Sequence, residues 1–306
     1  MKNIFYLGIC LVLSFVQIGC GGGGGGGGSA VSTSDFSSWS SVSYPSTVTI
    51  GGISEDASYT APAPSYAVTS VTDYGFSTSS STTIKYRANG TIERVDIKTP
   101  NGTVTWDETA GDIIDDSDIV VALSDPAESK VGLAVNAIDP LLGWEYQTFG
   151  IWETGRGLGN GTIGAITVGA PTPGSAIPNT GENVKFLGIS TGVYLDPTGI
   201  NDYLTVSEVE ADVNFLKREV VLNTSGTQKI NTSTASVTDA FNLNMSGTLK
   251  YAVGSGSFTG DVVSESEMNG TSSGQFYGPN AQELGGVFSL SGPGVESYAG
   301  AYGAKR

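Results

Sequence analysis

The run VEADVNF, residues 209–215, decides the fold class. Val209, Ala211, Val213 and Phe215 fall on one side of an extended chain, and Glu210, Asp212 and Asn214 on the other. Residues two apart share a face only in a strand, so this stretch is a strand with one dry side and one wet side. Similar runs surround it. ENVKFLGISTGVYL precedes it, and KREVVLN, DAFNLNM, TLKYAV, GSFTGDVV, SGQFYG, GGVFSL and YAGAYGA follow, separated by Gly- and Ser-rich turns. Strands of this length and spacing predict an antiparallel barrel. Glycine inside strands suits tight curvature, and about eight strands are filled by their own side chains, leaving no pore.

Upstream, EYQTFGIWE and GAITV extend the same pattern, which sets the barrel at residues 145–306. From residue 66 to 144 the reading is a smaller antiparallel domain. In TTIKYRANGTIERVDIK, Ile84 and Tyr86 alternate before a turn, and Ile92, Val95 and Ile97 follow it; TVTWDE gives a third strand. Asn-Gly-Thr occurs at Asn89, Asn101, Asn160 and Asn269, and Asn-Gly is the favoured pair for two-residue hairpins. The whole chain therefore reads as all-β, with no convincing helix. Alternation is short and charges interrupt it, as in KREVV, so the strands do not read as membrane-spanning.

Composition excludes several functions. The 306 residues carry 30 acidic against 14 basic side chains, a net charge of −16, which repels nucleic acid. There is no histidine, and the two cysteines are Cys10 and Cys20. A Ser-His-Asp triad, a Cys-His pair, an ordinary zinc site and a His-ligated haem are thereby removed. No catalytic, cofactor or metal residues are assigned, and no enzyme activity is expected. Asp112, Asp115, Asp116 and Asp118 lack the spacing, glycine and closing glutamate of a calcium loop and read as a solvated turn. GRGLGNG, residues 155–161, precedes no helix that could receive a phosphate and reads as a mobile hairpin connection.

The amino terminus fixes an expected location. Residues 1–19 have the form of a signal segment: Lys2, an apolar run from Ile4 to Val16, and small Gly19 before Cys20. Eight glycines, Gly21 to Gly28, follow the cysteine. No regular element needs such a run, because glycine loses more backbone freedom on folding than any other residue. Gly19-Cys20 resembles the lipobox of bacterial lipoproteins, although Gln17 stands where leucine is usual. The expectation is acylation of Cys20 and a flexible Gly/Ser/Pro-rich tether over residues 20–65, reaching on the order of 35–40 Å. Acyl chains buried in a bilayer hold such an anchor.

One further stretch carries a family resemblance. GQFYGPNAQELGGVFSLSGPGVESYAGAYGAKR, residues 274–306, closely resembles the C-terminal barrel signature of the transferrin-binding protein B family of Gram-negative surface lipoproteins. The matching residues are Phe276, Tyr277, Gly278, Pro279, Ala281, Glu283, Gly285 and Gly286, then Gly300 to Arg306 including Gly303. TFGIWETG resembles the family's first barrel strand, and Thr172, Pro173, Pro178 and Gly181 its following loop. The residues themselves suggest scaffold: a turn at Gly278-Pro279 with Pro279 starting one helical turn, Glu283 holding orphan amides or a basic residue, and glycines allowing close backbone approach.

The resemblance implies a single handle-like domain followed by one barrel, where the family's namesake has two of each. It also implies an outer-membrane lipoprotein, expected at the cell surface, that binds a host or environmental ligand and can serve as co-receptor to an outer-membrane transporter for iron or haem uptake. Two alternatives stay open. One is a carrier of haem or another small molecule; without histidine, iron would need Tyr or Met ligation, and Tyr66, Tyr74 and Tyr86 are available although they read first as core or surface aromatics. The other is a structural or adhesive envelope protein with no soluble ligand.

Overall fold

Period-two alternation carries through into eighteen strands; among the described residues there are four short 3₁₀ turns and no α-helix. The computed structural model describes residues 36–139, 143–180, 183–232, 234 and 236–306. Cys20, the glycine run and Gly181 lie outside them.

Nine strands form the first sheet: β1 Ser46–Thr60, β2 Ser70–Tyr86, β3 Ile92–Thr99, β4 Gly102–Asp107, β5 Ile113–Asp115, β6 Val120–Ser124, β7 Lys130–Val135, β8 Gln147–Thr154 and β9 Asn160–Gly169. They lie in the order β4-β3-β2-β1-β9-β8-β7-β6-β5, every neighbour antiparallel. The hairpin read from Ile84, Tyr86, Ile92, Val95 and Ile97 is present, with all five side chains buried. Tyr86 pairs with Ile92 but Lys85 with Arg94. That bulge lets Ile92 and Val95, three apart, share one face.

The second sheet holds β10 Val184–Leu195, β11 Asp202–Asn214, β12 Glu219–Asn231, β13 Val237–Asp239, β14 Met245–Lys250, β15 Ser257–Ser264, β16 Asn269–Tyr277, β17 Glu283–Ser291 and β18 Ser297–Lys305. Pairing of β10 with both β11 and β18, and of β11 with β12, closes eight of these strands into a barrel. Short β13 hangs on β12 outside the ring. Val209, Ala211, Val213 and Phe215 fill the interior, while Glu210 and Asp212 stay outside with Lys185. Towards one end of the interior the ring of Phe276 packs against those of Phe186, Phe215, Tyr251 and Phe258, with centroids 5.1–6.5 Å apart.

The two sheets share one core. Ile189, Val193, Val287, Ala299 and Ala301 point outward from the barrel wall and join the cluster containing Ile53, Phe149, Ile151 and Ile163 of the first sheet. Close approach there requires glycine. A Cβ on Gly303 would stand 2.4 Å from the Phe149 ring, and one on Gly285 would stand 2.1 Å from Gln147 Oε1.

Several expectations change. Residues 46–65 are not tether: β1 is hydrogen-bonded on both sides and buries Val48, Ile50, Ile53, Ala57 and Tyr59. Its Ser/Thr/Gly content reads as solvated, yet it pairs with β2 along its length and with β9 from Gly52 to Thr60. TFGIWETG and GAITV are β8 and β9 of the first sheet, so the boundary falls after Gly169 and the first sheet is larger than the expected handle. DAFNLNM is a short β13 end and a 3₁₀ turn rather than one strand. Asn160 and Asn269 begin β9 and β16 instead of occupying turns. The glycines after them serve packing: a Cβ on Gly161 would stand 2.0 Å from the Thr154 carbonyl, and one on Gly270 would stand 1.8 Å from that of Ser289.

Candidate functional site

Of the carboxy-terminal signature, Phe276, Tyr277, Gly278, Ala281, Glu283, Gly285, Gly286, Gly300 and Gly303 are buried, while Pro279 is exposed. Phe276 is the aromatic hub of the barrel, while Tyr277 faces the first sheet and its hydroxyl hydrogen-bonds Thr167 Oγ1 at 2.9 Å. Gly278 (φ 82°) and Ala281 (φ 57°) both take left-handed backbone. The segment between them is a plain turn, and Pro279 starts no helical turn. Left-handed geometry at both ends reverses the chain within five residues, which leaves no length for a helix. Ala281 is fully buried beneath it.

Glu283 accepts hydrogen bonds from the Glu145 and Tyr146 amides at 2.7 and 3.1 Å. Burial nevertheless pushes its carboxyl up to about 7, with those amides and Lys305 offsetting part of the effect. Inside the barrel wall, Gly286 and Gly300 make room for the rings of Tyr302 and Phe288.

The described chain starts at this same end. Trp39 donates its amide to the Glu145 carbonyl, next to the Glu283 carboxyl. β1 then runs 15 residues to the opposite end, roughly 45 Å away at strand rise. Three connections meet at that far end: residues 61–69, 155–159 and 196–201. The Ala61 amide donates to the Gly159 carbonyl (2.7 Å), and the Val68 amide to that of Gly199 (2.6 Å). Each connection raises one apolar side chain: Tyr66 is 45%, Leu158 70% and Ile200 70% exposed.

Arg156 staples the tip. Its Nε donates to Asp202 at 2.9 Å, its guanidinium to the Glu128 carbonyl at 3.1 Å, and its amide to the Ser129 carbonyl. The GRGLGNG connection is thus anchored at Arg156 and exposed at Leu158. Burial alone would raise the Asp202 carboxyl, but Arg156 and a Thr232 hydrogen bond hold it below its ordinary range. Glu153 alongside is driven well above its own by burial and by Asp202.

Other candidates from the sequence are scattered. Tyr66 and Tyr74 are exposed, whereas Tyr86 is buried against Tyr44 at the opposite end of β2. The structure does not bring the three together. The four aspartates serve local needs: Asp112 pairs with Lys130, Asp115 accepts from Ser117, Asp116 accepts the Ile92 amide and Asp118 the Ile119 amide. Sequence reading missed Leu158 and Ile200. The signal was available, since each is a lone apolar residue among turn residues, in RGLGN and PTGIN.

Residues 176–306 match the family model described as the C-lobe and N-lobe beta barrels of Tf-binding protein B. The matched residues take in all eight strands of the closed sheet, which is thus similar to the transferrin-binding protein B barrels. No curated protein matches the chain. Among solved structures it is similar to a mutant transferrin-binding protein B from Haemophilus parasuis Hp5 (16% identity, 74% of this chain and 51% of that one, TM-score 0.43). It is also similar to isotype 1 transferrin-binding protein B from serogroup B Neisseria meningitidis (17%, 83% and 43%, TM-score 0.45). A third is the haemoglobin receptor HpuA from Kingella denitrificans (15%, 90% and 92%, TM-score 0.43). The chain spans about half the length of the transferrin-binding proteins it matches.

Proposed function

We propose that this chain is an outer-membrane surface lipoprotein, anchored through Cys20, that captures a protein ligand and serves nutrient uptake as a co-receptor. The observation that carries the reading is the stapled tip of Tyr66, Leu158 and Ile200, at the end away from where the described chain starts. An anchor at the amino terminus leaves that end facing outward. The three side chains are exposed on connecting loops, which suits contact with a macromolecule. The transferrin-binding protein B barrel supplies the precedent of a protein ligand.

The test has two arms. Radiolabelled palmitate should enter the wild-type protein and not the Cys20→Ser variant, and protease added to intact cells should remove the protein. Immobilised protein should then bind transferrin, haemoglobin or a component of whole serum saturably, and Leu158→Asp with Ile200→Asp should weaken that binding at least tenfold. Absence of label, or capture unchanged in the tip variant, overturns the corresponding half of the proposal.

A further inference from the structure

The first sheet curls far enough for its edge strands to approach without pairing. The gap is bridged by side chains: Lys130 Nζ donates to the Thr105 carbonyl (2.6 Å) and to Asp112 (2.8 Å), and the Asp107 amide donates to Asp112 (2.9 Å). Deep inside, the curl is packed with aliphatic and aromatic side chains around a cavity of only about 40 Å³. Towards the β3–β4 turn it opens into a cleft of about 420 Å³, a size that accepts a small ligand. Mouths of β-barrels are common ligand sites.

Its lining is specific in chemistry. Thr99, Asn101, Thr103, Thr154 and Thr162 present hydroxyl and amide groups, and the ring of Trp152, laid across Gly164, lies at the floor. One acid, Asp56, belongs to the wall and is 4% exposed. Its Oδ2 accepts from Thr99 (3.2 Å) and from the Asn101 amide (3.0 Å), while its Oδ1 has no hydrogen-bond partner among the described residues. A buried oxygen left without a donor is costly, so it marks a place where a donor belongs. Asn101 stands on an exposed turn, and a ligand hydroxyl that displaces its amide reaches Asp56 from the cleft.

The geometry points to a carbohydrate site: the cleft binds a neutral sugar whose hydroxyls bond Asp56 and the threonine wall. Charged ligands fit less well. An anion would face Asp56, and a cation would face Lys130 across the same opening. A neutral polyol offers donors to the acid and acceptors to the hydroxyls and the Asn101 amide, with no charge left unpaired. The inference stands on the cleft alone and is independent of the exposed tip.

The test titrates the full chain with glucose, galactose, mannose, N-acetylglucosamine and lactose, read by saturation-transfer NMR and tryptophan fluorescence, with glucosamine and glucuronate as charged comparisons. At least one neutral sugar should bind saturably. Asp56→Asn, which turns the acceptor into a donor, should weaken it at least tenfold. Gly102→Trp should do the same by filling the cleft, with unchanged thermal unfolding, because a side chain at Gly102 meets open space. Three results would each overturn the assignment: no saturable neutral sugar, affinity unchanged by Gly102→Trp, or tighter binding of a charged analogue than of its neutral parent.

Discussion

Glycine at Gly303 shows how one residue sets the distance between the two layers. Its missing side chain is what admits the Phe149 ring, itself buried and without room to retreat. Gly303→Ala is expected to cost about 1–3 kcal/mol, the usual range for overpacking, measured as a lower urea midpoint with an unchanged slope. The glycine pattern at the carboxy terminus was visible in the sequence. Which glycine serves the interior and which the seam was not, because a strand's two faces are equivalent until their neighbours are known. Gly285 and Gly303 face the first sheet, and Gly286 and Gly300 face the barrel's rings.

Among the elements, β1 departs furthest from its sequence reading. STVTIGGISEDASYT has the composition of a linker, and no alternation marks it throughout, because its register with β2 shifts twice. It lies in the middle of the first sheet, between β2 and β9. A chain beginning at residue 66 therefore lacks the strand that joins two halves of that sheet. It is expected to be insoluble or to lose most near-UV circular dichroism, whereas one beginning at residue 36 should keep the native spectrum. Strands β8 and β9 posed the opposite difficulty. Both are buried on both faces, and a continuous buried strand carries no mark of the sheet it joins. The strands of the barrel from β14 to β18 were readable because one face looks inward to the aromatic core and the turns between them are rich in Gly, Ser and Asn.

For the whole molecule, the shared core predicts a single transition. Residues of both sheets belong to one buried cluster, so calorimetric and van't Hoff enthalpies should agree despite the two-sheet architecture. Stability should also depend on pH in a defined direction. Glu55, Glu153 and Glu283 are buried between the layers with carboxyls raised by burial; Glu55 is raised further by Asp73 and Asp56, and Glu153 by Asp202. A folded-state value above the unfolded one means the folded protein holds the extra proton. The contribution of Glu283 is therefore complete below its ordinary value of 4.5 and is lost as pH rises to about 7. That loss amounts to about 3 kcal/mol. Urea midpoints should fall between pH 5 and 7, and Glu283→Gln should shrink that slope; a slope unchanged by the substitution would remove Glu283 as its source.

The sequence by itself determined the all-β class and the inward face of strands such as β11, because period-two burial is written locally in residue order. It also carried the carboxy-terminal signature. Tertiary structure alone decided that residues 46–60 are a central strand, that β8 and β9 belong to the first sheet, and that the connections carrying Leu158, Ile200 and Tyr66 come together at one end. It alone opened a cleft beside Asp56. These are consequences of pairing between segments tens to more than a hundred residues apart. A local pattern states which face of a strand is dry, and only the assembled sheet states what lies against it.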